Sequence, residues 1–200
     1  TQFRAVGFAS DRTIEAMESS TFKSIIGVQW HPECMDNEDS VLLFRHLVEE
    51  AASYQRARRW HQQHLSLDSH CDTPMFFDQD IDFNRRDPKI LVDSFKMAEG
   101  GLDASIMVAY LAQKERTPEA HLAATAKADS ILDRLSAMVE RCPSVRMAFS
   151  PEEVRANKAA GYRSILPGIE NGYAFGTDLA NIARYRQRGV VYTTLCHNGN

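Results

Sequence analysis

The sequence predicts an α/β protein in which the first half of a (β/α)8 barrel follows the C-terminal part of a second α/β domain. Three observations support this fold class. From Leu65 onward, apolar strands alternate with helices, which is typical of parallel β/α units. Several of these strands end in a His, Asp or Glu, as the strands of barrel enzymes do. The first 53 residues instead combine short alternating strands with one helix.

The first 53 residues are predicted to form three strands and a helix. Alternating apolar residues indicate strands near 4–9 and 14–18, and an apolar run indicates a third over 24–30. Apolar positions recur at helical spacing from Asp39 onward. Residues 54–64 are basic and lack this periodicity, so we interpret them as the end of the helix running into a connector. The predicted domains are therefore 1–53 and 65–200, with the connector between them.

The second region contains four predicted β/α units. Pro118 and Pro151 each open a helix with an acidic residue behind them, and Thr177-Asp178 is placed to cap the last helix. Four units are half of a complete barrel, so we expect the chain to be one part of a longer polypeptide. The predicted strands lie at 65–69, 103–110, 163–169 and 190–196, and the predicted helices near 89–99, 118–141, 151–160 and 177–188.

Composition excludes several function classes. The 200 residues carry a net charge of -4 with acids and bases interspersed. This pattern does not indicate the basic surface with which proteins bind nucleic acid. No apolar stretch approaches the roughly 20 residues that span a bilayer. The four cysteines form no CxxC pair, so we expect reduced, mostly buried thiols and a cytoplasmic protein. The first residue is Thr1 and not Met, so the alternative that a signal sequence has been removed stays open.

The strand ends of the second region carry the candidate metal ligands. His70 and Asp72 are two residues apart, and side chains at i and i+2 of an extended strand point to the same side. Glu170 ends a later strand and His197 ends the last one. Imidazole and carboxylate groups are ligands that zinc accepts. Cys71 lies between the first two ligands but points to the opposite face of the strand, so we do not expect it to bind metal.

The segment Gly27-Val28-Gln29-Trp30-His31-Pro32-Glu33 resembles the C-terminal signature of class I glutamine amidotransferases and of the gamma-glutamyl-hydrolase-like peptidases, family C26. The resemblance implies that His31 is the general base for a cysteine nucleophile and that Glu33 orients it. The family's nucleophile lies well upstream of this motif, outside the chain, and Cys34 is on the wrong side to replace it. The alternative is that His31-Pro32-Glu33 is only a strand-ending turn.

The second region resembles the membrane (renal-type) dipeptidases, peptidase family M19. Unlike most amidohydrolase barrels, it has His-x-Asp and not His-x-His on its first strand. Two departures from the family pattern are Asn171, where glycine is usual, and Cys71, where a small polar residue is common. The segments that carry the likeness are Asp68-Ser69-His70-Cys71-Asp72-Thr73-Pro74, Gly100–Ser105, Gly168-Ile169-Glu170-Asn171-Gly172, Asp178-Leu179 and Gly189–Asn198.

This resemblance implies a (β/α)8 barrel of the metal-dependent hydrolase type that holds two Zn²⁺ ions. His70 and Asp72 would bind the first ion, Glu170 would bridge both, and His197 would bind substrate near the scissile carbonyl. Two further His ligands and a late Asp would lie beyond Asn200. Such an enzyme hydrolyses dipeptides, and family members are often homodimers.

The expected function is therefore a zinc-dependent dipeptidase fused to a domain that acts on gamma-glutamyl compounds. Two alternatives stay open at this point. The first is a glutamine amidotransferase or gamma-glutamyl hydrolase whose barrel binds peptides without catalysis. The second is a metal-dependent amidohydrolase acting on a non-peptide amide. A panel of substrates separates the last of these from a dipeptidase.

Overall fold

The computed structural model describes residues 2–22 and 24–197, so Asn198, at which the last motif ends, lies outside the described residues. The chain divides into two compact units, one up to Trp60 and one from His61 onward. In the described part of the chain, no helix has both the length and the apolar character needed to cross a membrane. All four cysteines are free; Cys71 and Cys142 are buried, whereas Cys34 and Cys196 are exposed.

The first unit contains a three-stranded antiparallel sheet in the order β1-β2-β3, followed by a long helix. The predicted strands are present, and the third is shorter than the predicted 24–30 at both ends. The helix continues past residue 53 through almost all of residues 54–64, the segment interpreted above as the end of the helix running into a connector. Its bounds and those of the strands are β1 Phe3–Phe8, β2 Ile14–Ser19, β3 Ile26–Val28 and α1 Glu38–Gln63.

The second unit contains a parallel sheet covered by helices, which is consistent with part of a β/α barrel. The strands are β4 Leu67–Cys71, β5 Ala104–Tyr110, β6 Val145–Met147, β7 Arg163–Glu170 and β8 Tyr192–Thr194. The helices are α2 Ser94–Gly100, α3 Pro118–Glu140, α4 Pro151–Ala159 and α5 Ala180–Gln187. Short 3-10 helices follow two of the strands, at Thr73–Gln79 and Gly172–Phe175.

Strand β7 lies at the centre of this sheet. Strand β5 pairs with it from Ala104↔Ser164 to Tyr110↔Glu170 and so takes one whole edge. The other edge is shared: β6 pairs with the first residues of β7, and β8 pairs with Gly168, Ile169 and Glu170. Strand β6 was missed in the sequence because three residues are too few for a recognisable alternation.

Polar side chains decide where the helices of this unit begin. Thr117 caps α3 by accepting from the backbone N–H of Ala120, and Ser150 caps α4 in the same way. The predicted helix over 89–99 begins only at Ser94, because Asp93 is its N-cap and accepts from the N–H of Lys96. The last helix is also shorter than predicted, although Asp178 accepts from the N–H of Ala180 as a cap would.

The core of the second unit lies on the two faces of β5 and β7. On one face, Met107 and Ile165 pack in a cluster with α3 residues such as Leu135. On the other face, Ile106, Val108 and Leu166 form a separate cluster against which Tyr192 packs. Alternating side chains thus go to the helical layer and to the inward face of the curved sheet, which fixes the direction of the residues at the strand ends.

Candidate metal centre

Three predicted ligands converge at the C-terminal ends of β4 and β7. His70 Nε2 lies 3.2 Å from Glu170 Oε2 and 3.5 Å from Asp72 Oδ1. One ligand atom from each of the three residues lies within 4.8 Å of the other two. In the part of the chain that the structure describes, this is the one group of three or more His, Cys, Asp or Glu side chains close enough to share an ion.

The backbone explains this convergence. His70 is in β4 and Asp72 follows it directly, at the start of the 3-10 helix Thr73–Gln79. Glu170 is the last residue of β7. Strands β4 and β7 both run parallel to β5, so their carboxyl ends meet at the same edge of the sheet. A barrel enzyme builds its active site at this edge.

The donor set fits a metal ion in both chemistry and spacing. Nitrogen and oxygen donors hold zinc at about 2.0–2.2 Å, which for a tetrahedral site places neighbouring donors roughly 3.3–3.6 Å apart. The distances from His70 Nε2 to the two carboxylates, 3.2 and 3.5 Å, are close to this range. The side chain of Glu170 is only 14% exposed, and a buried carboxylate needs a partner of opposite charge or hydrogen-bond donors. Together these features suit a divalent cation.

His197 and two tyrosines complete the surroundings. His197 Nε2 lies 3.4 Å from Glu170 Oε1, and its ring meets the ring of Tyr110 edge-on with 5.0 Å between centroids. The hydroxyl of Tyr192 lies 2.5 Å from Nδ1 of His70. Burial, followed by the charges of Glu170 and other nearby carboxylates, raises the pKa of Tyr192, so this hydroxyl stays neutral at physiological pH.

A family comparison agrees with this geometry. The model of the membrane dipeptidases, peptidase family M19, matches residues 54–200, which is more than half of the chain. The chain belongs to peptidase family M19. The predicted M19 resemblance is thereby confirmed, and it begins within α1. A sequence search of curated proteins finds no match.

Several solved structures have a similar fold. The probable dipeptidase PvdM from Pseudomonas aeruginosa is 26% identical with a TM-score of 0.65; the match covers 73% of this chain and 38% of that one. Dipeptidase AC, a metallopeptidase of family M19, is 18% identical (TM-score 0.57; 66% of this chain, 42% of that one). A metallopeptidase from Rhodobacter sphaeroides, liganded with a phosphinate mimic of L-Ala-D-Ala, is also 18% identical (TM-score 0.55; 66% and 45%). The chain thus spans less than half the length of each.

The first unit holds the second predicted pair of residues. His31 Nδ1 lies 2.8 Å from Glu33 Oε1, and both side chains are exposed. The hydrogen bond from His31 lowers the pKa of Glu33. The pair lines a cavity of about 410 Å³ between β3 and α1, together with apolar residues such as Trp30 and Leu47. The peptidase C26 family model matches residues 1–33, a short segment that ends at this pair.

Cys71 and Asn171, the two departures from the family pattern, both have structural contacts. Cys71 is buried with Met107 in the cluster against α3, and its thiol lies 3.3 Å from the hydroxyl of Thr73. Asn171 has a φ of +82°, a conformation that favours glycine, which accounts for the glycine usual in the family at this position. Its buried amide donates to Leu111 O and so holds the loop after β5 against the end of β7.

Sequence reasoning missed the two tyrosines of the site. Tyr192 lies inside an apolar strand, where an aromatic residue is ordinarily a core residue. Tyr110 ends β5 in the way that Glu170 ends β7, and the two are register partners. A search of every strand end for polar side chains finds Tyr110. No sequence signal indicates Tyr192, because its contact with His70 crosses two intervening strands.

Proposed function

We propose that the protein is a metallo-dipeptidase that hydrolyses dipeptides at a binuclear zinc centre. In this proposal His70 and Asp72 would hold the first ion, and Glu170 would contribute to holding both the first ion and the second. The observation that carries the proposal is the convergence of three ligand groups: His70 Nε2 lies 3.2 Å from Glu170 Oε2 and 3.5 Å from Asp72 Oδ1. The other oxygen of Glu170, Oε1, is directed away from His70, so in this proposal it is the oxygen that would hold the second ion.

The ions and the protein side chains have separate roles. When bound, the ions supply Lewis acidity, which polarises a peptide carbonyl and makes water a stronger nucleophile. Glu170 supplies negative charge that is little screened because the side chain is mostly buried. His197 directs Nε2 towards the same centre and is the proposed donor to the scissile carbonyl, while Tyr110 limits rotation of its ring.

The first experiment compares metal content and hydrolysis in the wild type and in Glu170→Gln. Glutamine has the same shape but no charge, so the variant is expected to lose zinc and at least a hundredfold in the rate of L-Ala-L-Ala hydrolysis. Glu140→Gln, which neutralises an exposed carboxylate at the end of α3, is the matched control and is expected to keep both. A Glu170→Gln variant with full zinc content and full activity would contradict the proposed bridge.

The substrate class is tested with a panel. A dipeptidase needs a free amino end and a free carboxyl end, so we expect hydrolysis of L-Ala-L-Ala, L-Ala-D-Ala or Gly-Leu and none of their N-acetylated forms. Hydrolysis of acylated amino acids or lactams in place of dipeptides favours the amidohydrolase alternative. Zinc binding with tight peptide binding and no turnover favours a non-catalytic barrel.

The pair His31 and Glu33 favours a second activity in the first unit. We propose that residues 1–53 are the end of a domain of the gamma-glutamyl hydrolase type, joined through 54–64 to the dipeptidase part at 65–200. The 2.8 Å hydrogen bond between His31 and Glu33 supports a base held by an acid. The match of the C26 model to residues 1–33 supports the same assignment.

Coupling of the two activities follows from this assignment as a hypothesis. One domain would remove a gamma-glutamyl group, and the other would split the dipeptide left behind. The test compares the intact polypeptide with separately produced domains at equal concentration on a gamma-glutamyl tripeptide. Equal rates would show that the fusion gives no coupling.

A further inference from the structure

The hydroxyl of Tyr192 reaches His70 across the inward face of the sheet. The strand order is β4-β5-β7 with β8 on the far edge of β7, so two strands lie between the residues. The 2.5 Å distance from Tyr192 Oη to His70 Nδ1 therefore spans the concave side of the curved sheet. The two rings are tilted by 40° with centroids 6.2 Å apart, so they meet at their polar edges and do not stack.

A glycine makes room for this contact. Gly168 is the register partner of Tyr192 on β7. A Cβ at Gly168 would lie 3.0 Å from side-chain carbons of Ile106 and Val108 and 3.4 Å from Cε1 of the Tyr192 ring. The aromatic ring thus lies against the backbone of β7, in a space that a side chain at position 168 would enter. The packing of the Tyr192 ring against β7 therefore directs its hydroxyl towards His70.

The two nitrogens of His70 have different partners. Nε2 faces the carboxylates of Glu170 and Asp72, and Nδ1 faces the hydroxyl of Tyr192. A ring with a partner at each nitrogen cannot turn over without losing both hydrogen bonds. Histidines that bind metals ordinarily donate their other N–H to a second group, which fixes the orientation and the tautomer of the ring.

We propose that Tyr192 is a positioning residue that orients His70 for metal binding by accepting a hydrogen bond from its Nδ1. This inference rests on the proposed function, since it requires His70 to be a ligand. A hydroxyl is a suitable partner here for two reasons. It can donate or accept, so it serves His70 with or without an ion. It is also neutral, so it adds no further charge beside the carboxylates.

The test compares Tyr192→Phe with Tyr185→Phe in the whole chain. The first variant removes only the oxygen that faces His70. The second removes the oxygen of a buried tyrosine whose hydroxyl donates to Thr125 O at 3.3 Å, away from the metal group. Zinc affinity is measured by competition with a chromophoric chelator. We expect Tyr192→Phe to bind zinc about 10–100-fold more weakly than the wild type, and Tyr185→Phe to bind it equally.

A second measurement does not depend on the metal. Nitrogen-15 NMR of the metal-free protein reports the hydrogen bonding of each ring nitrogen of His70. We expect the Nδ1 signal to move in Tyr192→Phe and to stay in place in Tyr185→Phe. An unchanged Nδ1 signal, or unchanged zinc affinity in Tyr192→Phe beside a zinc-binding wild type, overturns the inference and leaves the proposed function standing. A wild type with no more zinc than Glu170→Gln overturns both.

Discussion

Replacing Asp103 by Asn tests how a buried ion pair holds the amino end of the sheet. Asp103 is only 4% exposed and lies just before β5. Its Oδ2 accepts from Lys158 Nζ at 2.7 Å and from the N–H of Ser66 at 3.0 Å. Lys158 also donates to the carbonyls of His61 and His64, near the end of α1. The asparagine keeps the shape of the side chain and one acceptor, so the change removes mainly charge.

The expected loss follows from these contacts. Removing one partner of a buried ion pair typically costs about 3–5 kcal/mol. Lys158 is 20% exposed and keeps its two carbonyl partners, and Arg163 lies 4.0 Å from the other oxygen of Asp103, so these groups soften the loss. We therefore expect a loss of about 2–3 kcal/mol in the free energy of unfolding of the second unit, somewhat below that range.

Hydrogen exchange of the β5 amides is the suitable assay, because the chain has two units and a single melting curve would mix them. The expected loss corresponds to exchange roughly 30–150-fold faster. Lys158→Met and the double variant complete a cycle, in which we expect a coupling of at least about 1 kcal/mol. Additive effects of the two changes, or exchange as slow as in the wild type, would refute the ion pair as a source of stability.

Three further predictions concern packing and titration. Gly168→Ala should destabilise the second unit by about 1–3 kcal/mol, measured by the same exchange, because its Cβ meets two packed side chains at 3.0 Å. His31→Ala should raise the lowered pKa of Glu33 towards its ordinary value, measured by carbon-13 NMR of the carboxyl group; no change would contradict the hydrogen bond. Burial raises the pKa of Tyr185, so its stabilising effect is full below pH about 10 and is lost as pH rises through the folded-state pKa. Tyr185→Phe should therefore lose less stability than the wild type between pH 9 and 11, measured by following the core methyl signals of the second unit by NMR during denaturation.

Local chemistry explains which elements were predictable. Thr117 and Ser150 cap α3 and α4 at the positions that Pro118 and Pro151 indicated, because a cap needs only neighbouring residues. The end of α1 was less clear, since residues after 53 are mostly exposed and have no apolar periodicity to mark the helix. The start of α2 was predicted too early because Asp93, its cap, was not recognised.

Part of the candidate site could likewise be predicted from the sequence, and part depends on contacts between residues that are far apart along the chain. His70 and Asp72 are close because they are two residues apart, and Glu170 could be added because parallel strands end at one edge. The pairing of His31 with Glu33 is equally local. Tyr192 was beyond sequence reasoning, since its hydroxyl meets a residue 122 positions away. Nothing in an apolar strand distinguishes a tyrosine that faces a ligand from one that fills the core.

The sequence by itself determined the α/β class, the strand ends that carry His, Asp and Glu, and the membership of family M19 that these motifs indicated. Only the tertiary structure decided which oxygen of Glu170 faces which histidine and which group holds the second nitrogen of His70. The physical reason is distance along the chain. Caps, turns and i, i+2 pairs depend on neighbouring residues, whereas contacts across the inward face depend on the order, register and curvature of strands that are far apart in sequence.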